Sequence, residues 1–273
     1  MKAFLIDLAR CNGCHNCQVV CKDEHVGNDW APYAAPQPDT GQFWIKVGER
    51  VHGSTPKVRL AYTPVLCNHC ATPACVEAAT DGAAYRREDG LVIIDPVKAK
   101  GQRAIVEACP YGAVYWNEEL RVPQKCTGCA HLLDDGWDEP RCVEACATDA
   151  LRWVDEKEIA ANFPDAAPLD DRGSCGPRVY YRRAMKPFVA GTLFDPVSQE
   201  VIVGARATLL DAAGELVLGG ETDGFGDFWL KGLDEGAYTL RLDADGYETC
   251  VQEVVVGPES VNVGDVPLRS VAG

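Results

Sequence analysis

No run of about 18 apolar residues occurs in this chain, so no segment reads as a bilayer-spanning helix. Only a few apolar side chains precede Cys11, too few for the hydrophobic part of a secretory signal. Basic side chains are in deficit: 26 Lys and Arg stand against 41 Asp and Glu, a formal charge of −15 over 273 residues. That balance argues against nucleic acid and against docking on an anionic membrane surface. Histidine is scarce, five in all, with none after His131, so the last third of the chain offers no imidazole for acid–base chemistry. Cysteine is frequent, 14 residues, yet well below the density of a small disulfide-stapled scaffold. The thiols cluster in metal-ligand spacings, which suits a reducing compartment, and a cytoplasmic location without membrane insertion is expected.

The densest cluster is Cys11-Asn-Gly-Cys14-His-Asn-Cys17-Gln-Val-Val-Cys21. Three thiols at two-residue spacings let one turn of chain point three sulfurs at the corners of a cubane, while the fourth leaves for another cluster. A tetrahedral zinc site takes two ligands from such a knuckle and is crowded by a third. The grouping therefore reads as iron–sulfur, with a zinc-stabilised interaction protein as the competing reading.

Internal repetition extends the pattern. The Cys11-Asn-Gly-Cys14 core returns as Cys126-Thr-Gly-Cys129, and degenerates to Ala99-Lys-Gly-Gln102. A second half-unit recurs as Cys75-Val-Glu-Ala-Ala79, Ile105-Val-Glu-Ala-Cys109 and Cys142-Val-Glu-Ala-Cys146. Each is followed by Gly82-Ala83, Gly112-Ala113 or Asp149-Ala150. Four motifs result, two of them eroded: the second is Cys67, Cys70, Cys75 with Ala79, and the third keeps only Cys109.

Ligand exchange between paired motifs explains the erosion. If the second and third motifs pair, one cluster takes Cys67, Cys70, Cys75 and Cys109. Its twin would need positions 79, 99, 102 and 105, which hold Ala, Ala, Gln and Ile, so all four ligands are missing together. The first and fourth motifs pair by elimination, giving Cys11, Cys14, Cys17 with Cys146, and Cys126, Cys129, Cys142 with Cys21. Twelve cysteines then bind iron in three [4Fe–4S] clusters, and apolar side chains fill the fourth place. Cys175 and Cys250 are left over as unliganded thiols, with a disulfide between them disfavoured. His15, His69 and His131 lie beside ligands, but no cluster is short of a thiolate, so a supporting role is expected for them.

Residues 22–66 insert between the first two motifs, carrying Trp30, a Pro-rich turn and a hairpin pattern. They read either as a surface excursion or as a partner-docking surface with exposed aromatics. Residues 154–187 read as a short helix, a linker and an extended segment lying back on the first domain. From residue 188 seven short strand-like runs separated by turn residues read as an antiparallel sandwich. The fold class expected is α+β: a tandem bacterial-ferredoxin-like [4Fe–4S] domain over 1–187, then an all-β immunoglobulin/Cna-B-like sandwich over 188–273 that binds or scaffolds.

On these motifs the chain resembles the iron–sulfur electron-transfer subunits of molybdopterin oxidoreductases of the dimethyl-sulfoxide-reductase superfamily. Within it, the chain is similar to the small subunits of the pyrogallol–phloroglucinol transhydroxylase branch. Stretches such as Tyr85-Arg-Arg-Glu-Asp-Gly90, Tyr115-Trp-Asn-Glu118, Cys129-Ala-His-Leu-Leu-Asp134 and Pro177-Arg-Val-Tyr-Tyr181 carry that likeness, as do the lost cluster and the appended β-domain. The resemblance implies a heterodimer in which a large catalytic partner holds molybdenum bis-pterin guanine dinucleotide, acting on polyhydroxylated benzenes. It implies no catalytic residue in this chain. A catechol-type reductive dehydroxylase subunit and a free-standing polyferredoxin are the alternatives. Anaerobically isolated protein is expected to hold about twelve iron atoms and about twelve acid-labile sulfides per chain. Contents fitting four cubanes, or two, contradict the motif pairing.

Overall fold

The computed structural model describes residues 1–271 and divides into two compact units. The first comprises residues 1–49 and 62–184, the second residues 50–61 and those from 185 onward. Strands dominate, and apart from the ten-residue helix Asn16–His25 the helices are one or two turns long.

The first unit is anchored by the strand Lys2–Asp7, whose near-continuous apolar run is buried on both faces. Phe4 and Ile6 face a core shared with Cys17, Cys21, Cys67, Cys126 and Cys142. Ala3 and Leu5 face the other side, against Ile159 of the helix Glu156–Asn162. This period of two is what a central strand produces. Leu151–Asp155 pairs antiparallel on one edge, and Val179–Arg182 parallel on the other, so the extended segment near Pro177 does lie back on this unit.

The sequence repeat corresponds to a repeated local structure. Ala74–Glu77, Ala104–Glu107 and Arg141–Glu144 are single helical turns. Each leads to a residue with positive φ, Gly82 at 64°, Gly112 at 61° and Asp149 at 49°. A short strand follows each: Ala84–Arg86, Tyr115–Asn117 and Leu151–Asp155. Glycine and aspartate occupy this one position because the left-handed region excludes most other side chains. The eroded third motif keeps the turn although its thiols are gone.

The insertion differs from its expected form. Its hairpin runs over Ile45–Ser54 and Lys57–Leu66, beyond the alternating stretches 42–47 and 57–62 that suggest it in the sequence, and its outer part, residues 50–61, belongs to the second unit. There Lys57 makes a buried ion pair with Asp227, and Asn262 Nδ2 donates to the Ser54 carbonyl at 3.2 Å. Its aromatics are not a free surface. Trp44 is only 3 % exposed, and Trp30 stacks on His131 with ring centroids 4.3 Å apart.

The second unit is a two-sheet sandwich with the expected seven strands. Phe188–Phe194 lies between Asp227–Lys231 and Val261–Pro267 in one sheet. Leu216–Glu221, Arg206–Leu210, Gly236–Asp243 and Cys250–Val256 form the other in that order. Leu209, Phe228, Leu230, Leu240 and Val256 fill the space between. The sandwich is not wholly antiparallel: Phe188–Phe194 and Val261–Pro267 pair in parallel, and the run from Val201 enters the sheet only at Arg206. Local alternation specifies a strand but not its neighbour's direction.

One buried ion pair ties the first unit together. Arg178, 5 % exposed, donates from Nε and Nη2 to the two Glu156 oxygens at 2.9 and 3.0 Å. It also donates to the carbonyls of Gly90 at 2.6 Å and Lys2 at 3.0 Å. Glu156→Gln would leave the guanidinium uncompensated and is expected to cost about 3 kcal/mol, the low end for breaking a buried pair. The low end applies because the Glu156 side chain keeps 22 % of its exposure. Urea unfolding of the variant against wild type measures it; an unchanged midpoint contradicts the pair's structural role.

Candidate metal-cluster sites

The helix Asn16–His25 starts right after the first knuckle, so Cys17 and Cys21, one turn apart, both face inward and are buried. Cys75 and Cys142 sit in the single turns Ala74–Glu77 and Arg141–Glu144, both buried. The knuckles bend through tight turns. At Gly128 a side chain is excluded twice over: φ is +65°, and a Cβ would come within 2.5 Å of Leu91 Cδ2. Side chains finish each knuckle, Asn12 Oδ1 accepting from Cys14 N–H at 3.2 Å and Thr127 Oγ1 from Cys129 N–H at 3.1 Å.

The thiols fall into three groups, legible in how they disfavour one another's ionisation. Burial pushes Cys17 up to about 11, and the neighbouring Cys11, Cys146 and Cys14 add to it. Cys11 is raised by burial and by Cys146 and Cys14. Burial raises Cys21, with Cys126 and Cys129 next to it, and raises Cys142, with Cys129, Cys21 and Cys126 next to it. Cys70 is pushed up to about 12 by burial, then by Cys67, Cys175, Cys75 and Cys109. Cys17 thus neighbours Cys11, Cys14 and Cys146; Cys21 and Cys142 neighbour Cys126 and Cys129; and Cys70 neighbours Cys67, Cys75, Cys109 and also Cys175. The groups adjoin in a row: Cys17 neighbours Cys21 and Cys142, and Cys126 neighbours Cys67. The first group reaches the surface at Cys14, while the middle one is buried throughout.

The donor sets fit cubane clusters. One backbone N–H points at a sulfur in each group: Leu151 at Cys146 Sγ, Gly128 at Cys126 Sγ and Ala113 at Cys109 Sγ, each at 3.4 Å. Such donors stabilise sulfur that carries negative charge. The third group surrounds a small cavity of about 20 Å³ that Val92, Pro110 and Val114 also line. Among the described residues, no three His, Cys, Asp or Glu side chains close in as the ligands of a single ion.

The eroded fourth place is filled, though not wholly by apolar groups. Ala99 and Ile105 are fully buried, and Ala79 packs beside them. Gln102 instead cross-links backbone, accepting from Thr80 N–H at 2.9 Å and donating to the Lys98 carbonyl at 2.9 Å. Cys175 and Cys250 are free thiols. Cys250 lies on a strand of the second unit, but Cys175 lines the third group's cavity, which its position in a Gly/Ser loop did not signal. His15 is exposed. His131 Nε2 lies 3.0 Å from Glu24 Oε1. Buried His69 accepts from Val92 N–H through Nδ1 at 3.0 Å, which leaves the proton on Nε2.

A 4Fe–4S dicluster family matches residues 58–156, and a carboxypeptidase regulatory-like family matches residues 189–269. The chain is 38 % identical to the pyrogallol hydroxytransferase small subunit of Pelobacter acidigallici, over 97 % of this chain and 98 % of that one. It is 34 % identical to a chain of the anaerobic dimethyl sulfoxide reductase of Escherichia coli K12, over 61 % of this chain and 79 % of that one. It is 37 % identical to a tetrathionate reductase subunit of Salmonella typhimurium, over 54 % of this chain and 55 % of that one.

The raised thiols give the metal-free protein an alkaline limit. Unfolded thiols ionise at about 8.5. Cys75 and Cys126 wait until about 11, and Cys70 and Cys129 until about 12, burial being the main cause in each. In that window the folded state binds more protons than the unfolded one, so stability is full below about 8.5 and falls as pH rises toward 12. The urea midpoint of metal-stripped protein is expected to drop between about pH 8 and 11, while loaded protein, whose thiolates carry no proton, stays level. A level midpoint for the stripped protein contradicts the burial described.

Proposed function

This protein belongs to the family of the pyrogallol hydroxytransferase small subunit, and from that membership we propose that it is the electron-transfer subunit of a molybdopterin enzyme acting on polyhydroxylated aromatics. The extent of the likeness carries the reading. The pyrogallol hydroxytransferase subunit matches across both the cysteine-rich unit and the appended sandwich, whereas the two reductase chains cover 61 % and 54 % of this one. In this proposal the fold is a tandem ferredoxin-like domain followed by a Cna-B-like sandwich. The protein works in the cytoplasm as a heterodimer with a large subunit carrying molybdenum bis-pterin guanine dinucleotide.

Twelve thiolates in the three quartets hold three [4Fe–4S] clusters. When bound, each cluster carries one electron at a time. The chain's own residues do the rest. Cys17, adjoining Cys21 and Cys142, and Cys126, adjoining Cys67, keep neighbouring quartets close enough to hand an electron along the row. Phe4, Ile6, Trp44 and Leu151 pack around the inner sulfurs and exclude water. The N–H groups of Ala113, Gly128 and Leu151 are held ready for sulfur charge. Exposed Cys14 makes the first quartet the natural point of exchange with solvent-borne or partner-borne electrons.

Expression with a large subunit encoded beside it tests the proposal. A stable complex containing molybdenum and iron is expected, with activity on tri- or dihydroxybenzenes. Cys109→Ala is expected to remove about one third of the iron and leave the complex intact. A protein that purifies alone and shuttles electrons between unrelated enzymes contradicts the assignment. So does a complex whose pterin subunit turns over no hydroxylated aromatic.

A further inference from the structure

Three Lys or Arg side chains are buried among the described residues: Lys57, Arg178 and Lys125. Lys57 has Asp227 and Arg178 has Glu156, so both charges are paired. Lys125, 2 % exposed, has no carboxylate. Its ammonium donates to the carbonyl of Val92 and, at 2.8 Å, to that of Cys126. Two carbonyl dipoles satisfy two of its three N–H groups but supply no counter-charge. An unpaired ammonium in a protein interior is strongly disfavoured unless negative charge lies close by.

The groups that can supply that charge here are cysteine sulfurs, once iron makes them anionic. Lys125 directly precedes Cys126 of the Cys21 quartet and bonds to its carbonyl, while Val92, its other acceptor, lines the cavity of Cys67, Cys70, Cys75 and Cys109. Val92 holds the arrangement: its carbonyl accepts from Lys125, its N–H donates to His69 Nδ1, and its side chain lines the cavity of the third quartet. A 2+ core with four thiolates has a net charge of about −2, and each added electron makes it more negative.

We propose that Lys125 is a buried counter-charge shared by the clusters of the Cys21 and Cys67 quartets, raising the reduction potentials of those two and leaving that of the Cys11 quartet unmoved. This rests on the three-cluster reading above. Lys125 acts through fixed charge. It is neither a ligand nor a catalytic residue.

The test uses the full chain in complex with its large subunit, isolated anaerobically and titrated with dithionite under EPR. In Lys125→Met, which keeps the stem and removes the charge, two of the three reduction equilibria are expected to fall at least about tenfold. For a one-electron couple that corresponds to about 59 mV more negative. The third is expected to stay in place, with iron per chain unchanged. Three unmoved potentials, or three moved equally, overturn the assignment. If Lys125→Met loses iron, Lys125→Arg decides. Recovery of iron together with two wild-type-like potentials supports the counter-charge, and equal loss in both variants assigns Lys125 to packing and overturns it. Wild-type protein with iron for other than three cubanes overturns the cluster reading itself, which is seen before any variant is titrated.

Discussion

Burial of sulfur drawn from distant parts of the chain is the constraint on which the first unit depends. Its main core is not an aliphatic one with metal sites at the edge. Cys17, Cys21, Cys67, Cys126 and Cys142 are themselves core residues, packed with Phe4, Ile6, Trp44 and Leu151. In the proposed ligand sets each quartet takes three thiols from one stretch and a fourth from far away, so the chain must fold for any of them to close. The short helices and two-stranded hairpins have little stability of their own. Convergence on sulfur and pairing with the strand Lys2–Asp7 hold them in place.

Charge compensation follows from that constraint. Thiols in this interior resist ionisation, as the raised values at Cys17, Cys70 and Cys129 show. Sulfur made anionic by iron needs donors and cations close by. The N–H groups of Ala113, Gly128 and Leu151 are one answer. Lys125, buried beside Cys126 with no carboxylate of its own, is the proposed second. Arg178 is a different case: Glu156 neutralises it, and it cross-links the carbonyls of Gly90 and Lys2.

The second unit has another logic. It is an ordinary sandwich with an aliphatic core, completed by residues 50–61 of the long hairpin, whose Lys57 pairs with Asp227. The insertion's aromatics are likewise used internally. Trp30 lies against His131 and Trp44 against His25, at 4.3 and 4.5 Å between ring centroids. Aromatic residues in an insertion suggest an interface on composition alone, but here packing takes them up.

The seven strands of the sandwich and the return of the segment near Pro177 follow from spacing and alternation. These are local patterns that sequence displays directly. The joint absence of cysteine from positions 79, 99, 102 and 105 was legible because ligand exchange links positions far apart by a simple rule. Partnerships between residues with no such rule were decided only in three dimensions. Lys125 looks like any lysine before a cysteine until Val92 and two sets of thiols enclose it. Cys175 looks like a loop thiol until it lines a cavity with Cys70. The hairpin tip reads as surface until Lys57 meets Asp227, and nothing local fixes the parallel pairing of Phe188–Phe194 with Val261–Pro267. Periodicity and ligand spacing are set by covalent geometry along the chain, whereas burial, charge compensation and strand direction depend on which distant segment arrives alongside.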